Sequence, residues 1–254
     1  MILNINFLRI DLMNKNNKIE LTILIPVYNE IKTIKTILQK VKNIAKNEYE
    51  IIIVDDCSKD GSADVIKNFI KLNNNLNTAL FTHAKNLGKG AAIKTGLKNA
   101  RGKYFIIQDA DLEYDPNDIP KLLTYAHKNK AKAVYGSRFL GNIHGMLFMN
   151  YLANKFYNYL VSFLYLVKIT DMHTCYKLVD TELLRSFNLK ANGFDYAPEL
   201  ISKLLKSKFK VYEYPVTFHG RTKKQGKKIN FRDGITCSYL LLRYRFETFK
   251  ISFK

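Results

Sequence analysis

The chain has 254 residues, enough for one large domain or a domain with an appendage, and its 47% hydrophobic content excludes a disordered polypeptide. A net charge of +19 points to anionic partners such as a membrane, nucleic acid or a phosphorylated substrate. Lys and Asn recur everywhere, as in Asn73-Asn74-Asn75, so part of that excess is compositional. Cys57, Cys175 and Cys237 stand far apart in no metal-ligand spacing, which suggests a reducing compartment without disulfides.

Residues 1–18 lack the apolar core and cleavage site of a secretory leader and read as a loose extension. Leu21–Val27 is a near-continuous apolar run, a buried strand. Residues 31–45 carry apolar side chains at helical spacing. Ile51–Val54 is a second buried strand, Ser62–Leu72 a helix, and Ala79–Phe81 a third strand. Gly88–Ala100 is a helix rich in small residues, Tyr104–Ile107 a fourth strand, Pro116–Lys128 a helix and Ala131–Tyr135 a fifth strand. Strands alternating with helices predict a mostly parallel sheet covered on both faces, with ligands at the carboxyl ends of the strands. Tyr28-Asn29-Glu30, Asp55-Asp56 and Asp109-Ala110-Asp111 all fall at such ends, which predicts one site built from three motifs.

After about residue 140 the alternation fades. Residues 146–167 are rich in Met, Leu, Phe, Tyr and Val, interrupted by Asn150, Asn154, Lys155 and Asn158. The unbroken apolar part is too short to span a bilayer, and suits either a buried core helix or one lying in a membrane interface. Residues 231–249 form a second amphipathic stretch, basic and aromatic.

The most direct chemical signal is Asp109, Asp111 and Glu113 just after the fourth strand. Spaced i, i+2, i+4, they share a face if the backbone stays extended. Three acidic groups gathered at a strand end repel one another unless a cation sits between them. Mg²⁺ takes oxygen ligands of this kind and shares its shell with substrate phosphates. The plainer alternative is a solvated acidic turn before a helix. For Asp55 and Asp56 the alternative is turn and N-cap chemistry, which Asp60-Gly61-Ser62 would serve anyway. For Lys89 it is close helix packing through Gly88, Gly90, Ala91 and Ala92, against phosphate contact at a Gly-flanked helix start.

Five motifs in order carry a resemblance. They are Ile25-Pro26-Val27-Tyr28-Asn29-Glu30, Val54-Asp55-Asp56-Cys57-Ser58-Lys59-Asp60-Gly61-Ser62, Asn86-Leu87-Gly88-Lys89-Gly90-Ala91-Ala92, Asp109-Ala110-Asp111 and Tyr135-Gly136-Ser137-Arg138. Together they resemble the family 2 glycosyltransferases over residues 21 to about 245. The stretches Thr170–Lys177, Gly193–Glu199 and Gly220–Ile229 look like the polyprenyl-phosphate hexosyltransferase branch, of which dolichol-phosphate mannose synthase is a member.

The resemblance implies an α/β GT-A (nucleotide-diphospho-sugar transferase) fold, a mostly parallel sheet with helices on both faces. It implies a catalytic domain over residues 21–230, after an extension at 1–20 and before a basic amphipathic helix at 231–254. The nucleotide sugar, GDP-mannose or UDP-glucose, would lie against Pro26, Tyr28, Glu30, Asp56, Lys89, Asp109 and Ala110, with Asp56 favoured over Asp55. Asp109 and Asp111, with Glu113, would bind Mg²⁺ or Mn²⁺ on the donor diphosphate. A phosphate acceptor is already anionic and needs cations rather than a general base. Arg138, Arg221, Lys227 and Lys228 would supply them, and Asp109, Asp111, Arg138 and Arg221 form the implied catalytic set. The expected reaction is single displacement with inversion onto a polyprenyl phosphate.

Departures from the family pattern stand at Ile143-His144-Gly145-Met146, where relatives carry a second Arg, at His173, where they often have an acid, and at Ala197. Asp171 and Glu199 read as pocket acids without an assigned role. Membrane contact is expected from the amphipathic stretches, the basic charge or an anchoring partner subunit, at the cytoplasmic face. One rival is a same-fold transferase to a glycan or lipopolysaccharide hydroxyl, with Asp171 or Glu199 as base. The other is a basic nucleic-acid-binding protein, disfavoured by the carboxylates at the strand ends; nucleic acid is not an expected partner.

Overall fold

A computed structural model describes residues 6–8, 18–221 and 231–249. Strand β1 (Asn6–Leu8) lies in the stretch expected to be a loose extension. In β2 (Leu21–Val27) and β3 (Tyr49–Asp55) almost every residue is buried. Successive strand side chains face opposite ways, so both faces of the sheet are covered here. Helix α1 (Ile34–Ile44) joins them and buries Ile34, Ile37, Leu38 and Val41, the stripe its periodicity predicts. Helix α2 (Ser62–Leu72) leads to β4 (Thr78–Thr82), and α3 (Lys89–Asn99) to β5 (Tyr104–Ile107). The helix expected over Pro116–Lys128 divides into a 3-10 turn, Pro116–Asp118, and α4 (Ile119–Lys128), with Pro120 in the first turn of α4. Strand β6 (Ala133–Ser137) follows.

Beyond residue 140 come β7 (Ile143–His144), α5 (Phe148–Tyr165), β8 (Lys177–Asp180), α6 (Thr181–Ser186), α7 (Tyr196–Lys206), β9 (Val211–Pro215), β10 (Phe218–His219) and α8 (Phe231–Phe246). Eight strands make one sheet in the order β1-β4-β3-β2-β5-β8-β6-β9, while β7 and β10 pair separately. Strands β2 to β5 run parallel, as do β6 and β9, whereas β1 and β8 are antiparallel to their neighbours. Strands β3 and β4 lie on one side of β2 and β5 on the other. The crevice at such a reversal, outside the carboxyl ends, is where α/β sheets bind ligands. Because β8 runs backwards between β5 and β6, residues 170–176 enter at that same end.

Helix α5 is not the buried core helix that was one reading of its composition. It buries only Asn158 and Val161. Phe148, Met149, Tyr159 and Phe163 are 65–72% exposed. Helix α8 packs against α7 and α5, and its Cys237 and Leu241 join the main core.

The start of α3 sits tightly on the 191–193 loop. The Ala91 N–H donates to the Asn192 carbonyl at 3.0 Å. A Cβ on Gly88, whose φ is +93°, would lie 2.5 Å from that oxygen, and one on Gly90 would lie 2.6 Å from the Ala191 carbonyl. The close packing inferred from the small residues is therefore present. Gly90→Ala is expected to lower stability by about 1–3 kcal/mol, because the neighbouring atoms are backbone and cannot swing away. Urea denaturation reads this directly, and an unchanged midpoint would contradict it.

Candidate active site

Three turns at the carboxyl ends of β2, β3 and β5 build one wall. After β2, Asn29 adopts φ +54°, and after β3, Cys57 adopts φ +65°. The two turns interlock: the Asn29 N–H donates to Ser58 Oγ, and the Lys59 N–H to Asn29 Oδ1. Asp60 accepts the Ile31 and Ser62 amides, so the Asp60-Gly61-Ser62 segment does the turn work expected of it. Asp55 accepts the Ser58 N–H in a local turn bond and does not line the cavity described below, whereas Asp56 does.

The backbone after β5 is not extended. Residues 110–113 form a turn, with Leu112 at φ +63°. Asp109, Asp111 and Glu113 therefore share one wall through a turn and not through the pleat. They line a cavity of about 690 Å³ together with Pro26, Tyr28, Glu30, Asp56, Lys89 and Ala110. That volume suits a ligand of nucleotide-sugar size.

Asp109, Asp111, Glu113 and Glu30 each meet a cation of the chain. Lys89 Nζ lies 2.6 Å from Asp109 Oδ1. Burial disfavours both charges, but each favours its partner more, so the lysine is raised and the aspartate lowered from their usual ranges. Arg221 Nη2 lies 2.6 Å from Asp111 Oδ2, and its guanidinium reaches Glu30 at 3.5 Å and Glu113 at 3.7 Å. Its backbone N–H donates to Glu113 Oε1. Burial, with Asp109 and Glu113 alongside, pushes Asp111 up to about 7 despite Arg221. Among the described residues no group of three or more Asp, Glu, His or Cys side chains is ready to hold a metal as it stands. The donors are nonetheless hard oxygens, and the wall already draws a guanidinium onto itself. The residues fit a divalent ion, which would replace the Arg221 guanidinium as counter-charge.

Further lining comes from the end of β6, from α5 and from the segment before β8. Arg138 is buried at the end of β6, where Nε and Nη2 donate to the two oxygens of Asp171 at 2.7 and 2.8 Å. Nη2 also donates to Asn154 Oδ1. Among the described residues the two N–H groups of Nη1 have no hydrogen-bond partner, and Arg138 lines the cavity. They are the donors an anionic ligand would meet. Lys227 and Lys228 lie outside the described residues.

Both acids left without a role are structural. Asp171 is fully buried against Arg138 and does not line the cavity. Glu199 is fully buried, 2.6 Å from Lys203 Nζ, and accepts the Lys190 and Ala191 amides. Neither is placed to act as a base. The carboxylate missed in that region is Asp195, which lines the cavity and accepts the Gly193 N–H. His144 does not replace the family's second Arg in the cavity. It stands exposed and stacks on His219, with ring centroids 5.0 Å apart. His173 does line the cavity, and burial pushes its imidazole down to about 3.

Comparison with known proteins bears on the family and the fold. The family description "Glycosyl transferase family 2" matches residues 22–187. A dolichol-phosphate mannosyltransferase of Pyrococcus furiosus is 30% identical over 221 residues, 83% of this chain and 60% of that protein. A dolichyl-phosphate beta-glucosyltransferase of Dictyostelium discoideum is 37% identical over 138 residues, 49% of this chain and 42% of that protein. The chain thus spans less than two thirds of the length of either relative. Among solved structures, glucosyl-3-phosphoglycerate synthase of Mycobacterium tuberculosis, with Mn²⁺, UDP and phosphoglyceric acid, superposes with TM-score 0.66 at 15% identity, covering 89% of this chain and 78% of that one. A mannosyltransferase of Pyrobaculum calidifontis, in complex with GDP-Man and Mn²⁺, gives 0.56 at 19% identity, covering 79% and 56%. With its α/β sheet, its turn motifs and this match, the chain belongs to glycosyl transferase family 2.

Proposed function

We propose that this protein transfers a hexose from a nucleotide sugar to a polyprenyl phosphate, with inversion and with a divalent metal, at a membrane surface. One observation carries the reading: paired acids and cations (Lys89–Asp109, Arg221–Asp111) line one cavity with the buried Arg138, and the two acids first considered as bases are locked in buried ion pairs. An acceptor phosphate oxygen forms its bond to the anomeric carbon as the bond to the donor diphosphate breaks. No proton need be removed from such an acceptor. It needs positive charge instead, which Arg138 and Arg221 offer. Asp109, Asp111 and Glu113 would hold Mg²⁺ or Mn²⁺, which neutralises charge on the departing nucleoside diphosphate. Lys89 stands beside Asp109 at the start of α3, where an ammonium and helix amides favour phosphate. The relatives named for dolichol-phosphate mannosyl and glucosyl transfer, and the fold relatives solved with Mn²⁺ and nucleotide, support the same reading.

The hydroxyl-acceptor alternative needs a base, and Asp195 is the carboxylate positioned to be one. Two substitutions separate the readings. Asp109→Ala is expected to cut transfer to a short polyprenyl phosphate by roughly a hundredfold or more, by removing leaving-group stabilisation. Asp195→Asn, which keeps an acceptor for the Gly193 N–H, is expected to stay within about tenfold of the parent. A loss at Asp195 on the order of 10²–10⁴ would mark it as a general base and favour the hydroxyl acceptor.

Among the described residues no helix is long and apolar enough to cross a membrane. One side of α5 brings Asn150, Ala153, Asn154 and Tyr157 to the cavity, while Phe148, Met149, Tyr159 and Phe163 are exposed. Tyr239 and Phe246 of the adjoining α8 are 61% and 79% exposed. We assign this aromatic surface to the interface of an anionic bilayer on the cytoplasmic side. Its continuity with the acceptor end of the cavity and the charge of +19 support that choice. The protein is expected to sediment with phosphatidylglycerol vesicles, and Phe156→Ser with Phe163→Ser to reduce the bound fraction several-fold. Equal sedimentation of parent and double variant would remove α5 from that role.

A further inference from the structure

The buried His83 is used by nothing in the reaction described above, and it touches a residue of the donor wall. Its Nδ1 lies 2.6 Å from Asp56 Oδ1, and its Nε2 2.8 Å from Thr95 Oγ1 on α3. A carboxylate has no proton to give, so Nδ1 is the donor. Asp56 accepts two further bonds: the Leu87 N–H at Oδ1, 2.8 Å, and the Gly88 N–H at Oδ2, 2.7 Å.

Each carboxylate oxygen accepts about two hydrogen bonds. Oδ1 is therefore filled by His83 and Leu87, while Oδ2 keeps one acceptor position. The arrangement is held on every side. His83 is only 3% exposed, and Thr95 fixes the far edge of its ring. The Leu87–Gly88 amides cannot move off Asp56 without dislodging the start of α3, which is packed on Asn192.

Nucleobases differ in what they offer such an acid. Guanine presents two adjacent donors, its ring N1–H and its exocyclic amino group, which pair with both oxygens of a free carboxylate. Uracil presents one, its N3–H. We propose that His83, acting through Asp56, selects a uridine over a guanosine donor, because only one N–H can be accepted. His83 is a positioning residue, and the inference rests on the donor site proposed above.

The test is titration calorimetry of the full chain with UDP, GDP and IDP, each with Mn²⁺. IDP carries the ring N–H of GDP but lacks its amino group. UDP is expected to bind roughly tenfold or more tightly than GDP, since an unmet buried donor costs about that much. IDP is expected to bind at least as tightly as GDP. A GDP affinity equal to or above that of UDP would overturn the proposal, as would IDP binding tenfold more weakly than GDP. His83→Leu, which frees Oδ1, is expected to bring the UDP and GDP affinities closer, and His83→Asn, which keeps an N–H there, to preserve the difference. An unchanged ratio in folded His83→Leu would remove His83 from the role. If that variant does not fold, the IDP–GDP comparison on the parent decides. Binding of none of the three would overturn the donor site itself, a result distinct from a reversed base preference.

Discussion

Charge taken out of water must be answered by opposite charge close by, and this constraint organises the cavity. A buried carboxylate without a partner is costly enough to change its protonation or the fold around it. The chain meets that demand with Lys89 on Asp109, Arg221 on Asp111, Arg138 on Asp171 and Lys203 on Glu199. Two of these pairs, Arg138–Asp171 and Lys203–Glu199, are nearly inaccessible and hold the scaffold. The other two lie on the donor wall, where a ligand or ion can replace one member. The difference between a structural and an exchangeable pair lies in access, not in residue type.

The same constraint links fold to reaction. Parallel strands place three turns at one end of the sheet, and the order reversal between β2 and β5 opens the crevice beneath them. The antiparallel β8 then brings residues 170–176 to that end. Asp171 there orients Arg138. Arg138 thus lines the same cavity as the paired acids of the turn. The proposed phosphate acceptor would draw on that positive charge, and a neutral acceptor would not.

The first half of the fold was legible because its signals are local. Apolar runs such as Ile51–Val54 and helical stripes such as that of α1 declare themselves within a few residues. The three motifs at strand ends were legible for the same reason. Strand β8 was not: Lys177–Asp180 is four residues with a charge at each end, and its partners lie far upstream, in β5 (Tyr104 opposite Asp180) and β6 (Ala133 opposite Val179). The roles of Asp171 and Glu199 were misread as pocket acids because pairing is a tertiary fact. For Glu199 a clue existed, since Lys203 stands at i+4 on the same helix. Asp195 and His83 carried no such local clue. The extended face assumed for Asp109, Asp111 and Glu113 failed because Leu112 turns the chain.

The central claim is that the acidic wall exchanges its resident guanidinium for a divalent ion once a nucleotide is bound. Anomalous diffraction from crystals grown with Mn²⁺ and a nucleoside diphosphate tests it most directly. The account predicts a manganese peak at Asp109, Asp111 and Glu113, with Arg221 withdrawn from Asp111. Bound nucleotide with no manganese there, and Arg221 still seated on Asp111, would contradict it.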